Sequence, residues 1–406
     1  MPTLAVLSLH TSPLAQPGLG DGGGMNVYVR SLGSALARAG IACDVYTRAE
    51  HAELPDVVGV EPGFRVHHVA AGPRRPVAKE DLPALVDEFT AGVLRRLEET
   101  VEPPDAIHAN YWLSGVAGHT LKHTLELPLV STFHTLARVK AEATGDEPAR
   151  RARAEAEIVG CSDVILAATA EEAVQLQQLY DAPPDRIEIV PPGVDHHHFS
   201  PGDRGPARAA LGLPADGPVL LFVGRIQPLK GADVAVETLA ALDHDDAILL
   251  VVGGPSGPDG DAELARLHHL ADVLDVADRV RFVPPQPHDR LATWYRAADV
   301  CLVPSRSESF GLVALEAAAC GTPVVAAAVG GLRTTVDHGR TGFLVETRDP
   351  GDYAAPVTEL LADPSRAAEL RANAVARAAQ FSWATTAARL RRLYADLAAR
   401  RPVECR

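Results

Sequence analysis

Short apolar runs alternate with longer stretches of helical periodicity along nearly the whole chain, the pattern of parallel α/β units. An early series of strand candidates comprises LAVLSL (4–9), CDVYTR (43–48), RVHHVA (65–70), AIHAN (106–110), PLVSTFH (128–134), DVILAAT (163–169) and RIEIVPP (186–192). A second series comprises VLLFVGR (219–225), AILLVVGG (247–254), RVRFVPP (279–285), VCLVPS (300–305) and PVVAAAVGG (323–331). Between the two series runs PPGVDHHHFSPGDRGPARAAL (191–211), rich in Pro, Gly and charge and read as a linker. The last helical pattern, 383–399, follows no further strand and is expected to pack back on the first domain. At 406 residues two domains are the default. The expected division is 1–195, 196–382 and a terminal helix in 383–406.

Composition narrows the classes. The chain is 47% hydrophobic and 22% charged, as a compact protein should be, and its net charge of −15 argues against a phosphate-backbone footprint, hence no nucleic acid partner. The weakly polar run 310–332 is broken by Glu316, Gly321, Pro323 and Gly330-Gly331, so it reads as a buried helix and then a buried strand, with no integral membrane segment. Five cysteines (Cys43, Cys161, Cys301, Cys320, Cys405) form no C-x-x-C and cannot all pair. Reduced thiols in a cytoplasmic protein are expected, with Cys301 and Cys320 as small core residues. No signal peptide is apparent in MPTLAVLSLH. Nothing fixes the oligomeric state, and a homodimer is compatible with the pattern.

Three stretches carry candidate chemistry. In GLGDGGGMNVYVRSL (18–32), Gly18, Gly20 and Gly23 satisfy G-x-G-x-x-G ahead of a helix over 25–39. A dinucleotide loop turns directly from strand into glycines, whereas HTSPLAQP intervenes here. Asp44 falls near the expected spacing for a ribose ligand, yet at the start of its strand, so an NAD reading is weak. GRIQPLKG (224–231) places Arg225 and Lys230 after a strong strand, where two cations suit a diphosphate; solvated surface charge is the alternative. In SRSESFGLVALEAAACGTPVV (305–325), Ser309 is expected to cap a helix starting near Phe310 and to offer its N-terminus to an anion. Glu308 and Glu316 fall roughly on one side, and Glu316, inside an apolar helix, needs a polar partner. That partner is either an internal ion pair or a ligand hydroxyl.

Glu308 and Glu316 match the E-x7-E motif, and GRIQPLK the diphosphate loop, of family 4 glycosyltransferases, which the chain resembles over nearly its whole length. The resemblance implies the GT-B fold, two Rossmann-like doubly wound domains facing a central cleft, with acceptor binding in the first and a UDP-sugar donor in the second. It implies that Glu308 holds hydroxyls of the sugar and Glu316 the ribose, while Arg225 and Lys230 neutralise the diphosphate. Ser309, Phe310, Gly311 and Leu312 would complete the donor motif, Gln286 would lie near the base, and Gln16, Pro17 and Gly24 would touch the sugar nucleotide. His134 would position the donor sugar. Transfer would retain configuration without a covalent intermediate, the departing phosphate oxygen taking the acceptor proton.

In the N-terminal half, HTSPLAQPG with GDGGGMNVYV, AKEDLP, NYWLSG and FHTLARVK are similar to family members that take N-acetylglucosamine from UDP-GlcNAc to 1D-myo-inositol 3-phosphate. That reaction is the first step of mycothiol biosynthesis in actinobacteria. Carried over by motif, His10, Asp21, Gly22, Gly23, Gly24, Met25 and Asn26 would touch the small phosphorylated polyol acceptor, with Lys79, Tyr111, Thr135 and Arg151 around its phosphate. Asn110 replaces a His and Gly22 an Ala, Ser131–Phe133 also differ, and Gln286 falls where one relative has an Arg. A same-fold enzyme with another donor or acceptor, sucrose-phosphate-forming or of an aminoglycoside pathway, stays open, as does a non-catalytic sugar-binding module. No cofactor is required for the implied chemistry, and a structural magnesium ion is compatible with it. His196, His197 and His198 are consecutive and read as a turn, and Asp243-His244-Asp245 and Asp259-Gly260-Asp261 as polar loops, so no metal ligands are assigned.

Overall fold

A computed structural model describes residues 2–20, 22–100, 102–144, 148–257 and 259–405. The chain forms two compact units. One comprises Met1–Ala15, Met25–Pro191 and Trp383–Arg406, the other Gln16–Gly24 and Pro192–Ser382.

The first unit is built on β1 (Thr3–Leu7), β2 (Ala42–Arg48), β3 (Val57–Glu61), β4 (Phe64–Val69), β5 (Ala106–Asn110), β6 (Leu129–Thr132), β7 (Val164–Ala167) and β8 (Ile187–Ile189). They form one sheet in the order β3-β4-β2-β1-β5-β6-β7-β8, parallel except for the antiparallel β3–β4 pair at one edge. Central strands such as β5 and β6 are buried at every residue, because helices cover both faces of a parallel sheet. Strand order reverses between β1 and β5, which pair directly through Leu7 and Ala109. The loops leaving their carboxyl ends carry His10 and Tyr111, at the position where open α/β sheets bind ligands. The helix Trp383–Ala398 buries Trp383, Ala387, Leu390 and Tyr394 in the same core as Leu4, Val6 and Tyr28. The Tyr394 hydroxyl meets Nδ1 of the fully buried His108 at 2.9 Å.

The second unit holds β9 (Val219–Val223), β10 (Ile248–Val252), β11 (Val280–Val283), β12 (Val300–Val303), β13 (Val324–Ala327) and β14 (Gly342–Val345), in the order β11-β10-β9-β12-β13-β14 and wholly parallel. Its switch point lies between β9 and β12, after which come the loops carrying Arg225 and Glu308.

Several expectations are corrected. The edge strand β3 and the last strand β14 stand where none was read. The proline-rich stretch 191–211 contains the helix Arg204–Ala210, whose Arg208 is buried and paired with Asp299 at 2.7 Å. Cys43, Cys301 and Cys320 are buried free thiols, but Cys161 and Cys405, separated by 244 positions, are brought together. Among the described residues no helix is long and apolar enough to cross a membrane.

Candidate active site

In the first unit the residues expected around a phosphate gather on one aromatic ring. Lys79 Nζ lies 5.4 Å and the Arg151 guanidinium carbon 5.0 Å from the centre of the Tyr111 ring, and the His10 ring stands 5.1 Å from it. Each cation lies over the face of the ring, where the ring quadrupole attracts it. Arg151 donates through Nη2 to the Thr135 carbonyl at 2.7 Å and its Oγ1 at 2.9 Å. Its Nε donates to Glu155 Oε1 at 2.8 Å. Arg151 is 4% exposed and Glu155 fully buried, so the carboxylate fixes the guanidinium and cancels part of its charge. Glu155 in turn accepts from Ala137 N and the Tyr180 hydroxyl. Neither Glu155 nor Tyr180 was expected from the sequence.

Tyr111 and His134 follow β5 and β6 with φ of 74° and 61°, left-handed backbone that non-glycine residues rarely adopt. Such strain concentrates at functional sites. His134 Nε2 pairs with Asn110 Oδ1 at 2.9 Å, and its ring stands edge-on to Tyr28 at 4.8 Å. Burial, then the neighbouring His108, pushes this imidazole down to about 3, so it is neutral at any working pH. A neutral imidazole suits the positioning of a sugar and cannot neutralise a leaving diphosphate. Asn26 donates to Thr11 Oγ1 at 2.7 Å and to the Ser12 carbonyl at 2.5 Å, bracing the loop after β1, while Met25 packs into the core beside it.

The second unit gathers the residues expected at the donor. Lys230 Nζ donates to Glu308 Oε2 at 2.6 Å, both side chains about one-fifth exposed. Their loops are laced together by Arg306 N donating to the Leu229 carbonyl at 2.8 Å. Gly231, at φ 73°, passes so close to Pro304 that a β-carbon would sit 2.2 Å from its carbonyl oxygen. Arg225 leans on Ser256 through Nη1 at 3.3 Å. Glu316, on the helix Leu312–Ala319, accepts from Tyr295 at 2.9 Å and pairs with His288 Nε2 at 2.7 Å. The polar partner its apolar helix demanded is thus internal, although each carboxylate oxygen keeps a lone pair for another donor. Burial pulls the His288 imidazole down, but Glu316 first and then Asp195 and Asp289 outweigh it, so it titrates above its ordinary value.

Ser309 does not cap this helix. Gly311, at φ 91°, precedes Leu312 as the cap residue, and Ser309 and Phe310 form a turn before it. Gly331 N donates to the Glu308 carbonyl at 2.8 Å, and a β-carbon on Gly331 would lie 2.2 Å from Phe310 Cα. Packing of that turn against the Gly330-Gly331 pair, rather than capping, therefore sets the position of Glu308.

The glycine loop joins the second unit. Gln16 Nε2 donates to the Pro285 carbonyl at 3.1 Å, and Pro17 follows it; a β-carbon on Gly23 would meet Arg225 Nε at 3.2 Å, and one on Gly24 would meet Leu312 Cδ1 at 3.6 Å. At Gly22 a β-carbon would lie 2.8 Å from the Gln16 carbonyl oxygen, so this tight loop suits the glycine that replaces the family's Ala. Asp21 lies outside the described residues. Gln286 is half-buried, its amide turned onto the nearby Pro284 carbonyl at 2.8 Å. Asp44 pairs with Arg65 and His67 inside the first unit, which leaves no basis for a ribose ligand there.

Two doubly wound sheets, each bringing charged side chains to its own switch point, with a basic pair and two carboxylates on the second, define a glycosyltransferase of the GT-B fold. Residues 22–198 match the family model Glycosyltransferase Family 4, and residues 203–380 match Glycosyl transferases group 1. The chain belongs to glycosyltransferase family 4. It is 52% identical over 397 residues to D-inositol 3-phosphate glycosyltransferase 2 of Catenulispora acidiphila, covering 95% of this chain and 92% of that one. It is 49% identical over 405 residues to the D-inositol 3-phosphate glycosyltransferase of Thermobispora bispora, covering 97% and 94%. Among solved structures, sucrose-phosphate synthase from Thermosynechococcus elongatus superimposes with a TM-score of 0.92 at 36% identity, covering 98% and 100%.

Proposed function

We propose that the chain transfers N-acetylglucosamine from UDP-GlcNAc to 1D-myo-inositol 3-phosphate with retention of configuration. The observation that carries the acceptor is the pair of cations Lys79 and Arg151 over the Tyr111 ring, with Thr135 bonded to Arg151, in a chain about half identical to enzymes named for inositol 3-phosphate.

In this reading Arg225 and Lys230 bind the diphosphate and stabilise the charge that grows on it as the bond to the sugar C1 lengthens. Lys230 keeps two N–H donors for phosphate while its third holds Glu308, which turns its other oxygen to sugar hydroxyls. Glu316, already oriented by Tyr295 and His288, accepts from the ribose. The bond from C1 to the phosphate oxygen breaks, the acceptor oxygen bonds C1 on the same face, and its proton goes to the departing phosphate oxygen, leaving UDP. His134, neutral and held by Asn110, orients the sugar.

UDP release from UDP-GlcNAc, measured with inositol 3-phosphate against plain myo-inositol, tests the proposal. Equal rates with both acceptors sink it. The likeness to a sucrose-phosphate synthase favours one second reading, transfer of glucose to fructose 6-phosphate. Faster turnover with UDP-glucose and that acceptor would replace the first.

A further inference from the structure

A second constellation lies outside the transferase site. His119 and His123 are four residues apart on the helix Trp112–Leu125, hence on one face. Cys161 ends the helix Ala149–Cys161, and Cys405 comes from the tail beyond Trp383–Ala398. One ligand atom from each of the four lies within 4.8 Å of all the others. His123 Nε2 is 3.0 Å from Cys405 Sγ and 3.3 Å from Cys161 Sγ, and His119 Nε2 is 3.8 Å from Cys405 Sγ.

We propose that these four side chains form a structural zinc site in the reduced protein, Cys161 and Cys405 binding as thiolates and His119 and His123 through Nε2. Zinc takes four such ligands in a tetrahedron, at about 2.3 Å to sulfur and 2.0–2.1 Å to nitrogen, which puts nitrogen and sulfur roughly 3.6 Å apart. The three separations bracket that spacing. Two thiolates also cancel the charge of one divalent ion, so the neutral imidazoles complete the shell without excess charge. A disulfide accounts for the two sulfurs meeting. It gives no reason for two imidazole nitrogens to converge on the same point.

The surroundings support a built site. Lys122, between the two histidines in sequence and almost fully buried, donates to the Cys161 carbonyl at 2.7 Å and to Asp163 Oδ2 at 2.7 Å. Asp163 also accepts from Leu129 N, and its Oδ1 accepts from Val403 N at 2.6 Å, which draws the tail towards Cys161. Outer partners of this kind orient ligands in known metal sites. The ion would staple the tail beyond Trp383–Ala398 to two helices of the first unit.

The test uses the full chain, purified in a thiol reductant and loaded with cobalt(II), whose visible spectrum reports tetrahedral thiolate ligation. About one cobalt per chain, displaced by zinc, is expected. His123→Ala and Cys405→Ser, both at exposed positions, should weaken uptake by more than about 10-fold, since loss of even an outer partner costs that much. His119→Ala/His123→Ala sets the background. Uptake by the parent chain no greater than this double variant overturns the proposal. So does an intact mass two hydrogens short, under the same reductant, with no cobalt spectrum, because a persistent disulfide then explains the cysteines alone.

Discussion

Lys79→Ala is the sharpest probe of the acceptor site, because Lys79 can be removed without unfolding what surrounds it. The lysine is partly exposed and its cation lies over the Tyr111 ring, a contact of about 0.5–1 kcal/mol, so the melting temperature should hardly move. Arg151→Ala is a poorer probe, since it would strand the buried Glu155. If Lys79 binds the acceptor phosphate, the variant loses one charge-assisted hydrogen bond, about 1.5–3 kcal/mol. Partial exposure and salt favour the lower end. At about 1.4 kcal/mol per decade, kcat/KM for inositol 3-phosphate should fall roughly 10- to 100-fold, expressed mainly in the acceptor KM. Plain myo-inositol offers that ammonium nothing, so its kcat/KM should stay within about twofold of the parent's. The informative quantity is therefore the ratio of the two acceptors in the variant and in the parent, from steady-state UDP release at low and high ionic strength. A ratio unchanged by the substitution refutes the argument, even if both rates fall.

Three further outcomes follow from the geometry. Glu155→Ala removes the buried carboxylate that holds the Arg151 guanidinium; a cost of about 3–5 kcal/mol should lower the melting temperature of the first unit by roughly 10 °C, read by calorimetry. Burial raises the Glu172 carboxyl from 4.5 to about 7, only partly offset by the Ala168 N–H. The folded chain thus keeps a proton that the unfolded chain sheds, and its stability falls as pH rises from the unfolded value through about 7. Glu172→Gln should be more stable than the parent by about 3 kcal/mol at pH 8 and equal to it near pH 4, and parallel urea midpoints across that range would contradict this. Gly23→Ala puts a β-carbon 3.2 Å from Arg225 Nε, a flexible side chain that can give way. Donor KM should rise while the melting temperature holds, and an unchanged donor KM would remove the glycine loop from the donor site.

The parallel strands were legible because burial on both faces leaves little choice but Val, Ile, Leu and Ala; β9 and β10 read as VLLFV and ILLVV. The strand β3 escaped because it is an edge, VVGVE, with mixed exposure and only one neighbour. The strand β14 is four residues between turns, too short to show a period. Arg225, Lys230, Glu308 and Glu316 could be picked out because three of them stand in polar segments after apolar strands and the fourth breaks an apolar helix. The partners of Arg151 and Glu316 were hidden. Glu155 sits in ARRARAEAEIVGC, where helical charges look solvated, and only the fold reveals it as fully buried. His288 and Tyr295 lie 28 and 21 positions from Glu316. The mistaken cap at Ser309 has a local cause: the motif for a helix start is sound, but contact with Gly330-Gly331 delays the helix to Leu312. Only H-x3-H at 119 and 123 could have signalled the sulfur–imidazole cluster, whose other members lie 38 and 282 positions from His123.

The helix Trp383–Ala398 belongs to the first unit although the chain reaches it only after the second. Natural or laboratory shuffling of such genes therefore meets an asymmetric rule. A hybrid joined at one point near residue 191 carries the donor half of one parent together with a helix shaped for the other parent's acceptor half. Its Tyr394 and Leu390 must then fit around an inherited His108 and Tyr28 with which they did not co-evolve. Exchange with two junctions, the second near 382, keeps that pairing within one lineage. The glycine loop Gln16–Gly24 imposes the opposite debt, since it travels with the acceptor half but packs with the donor half. New donor specificity should thus be easier to acquire by substitution in place than by swapping modules.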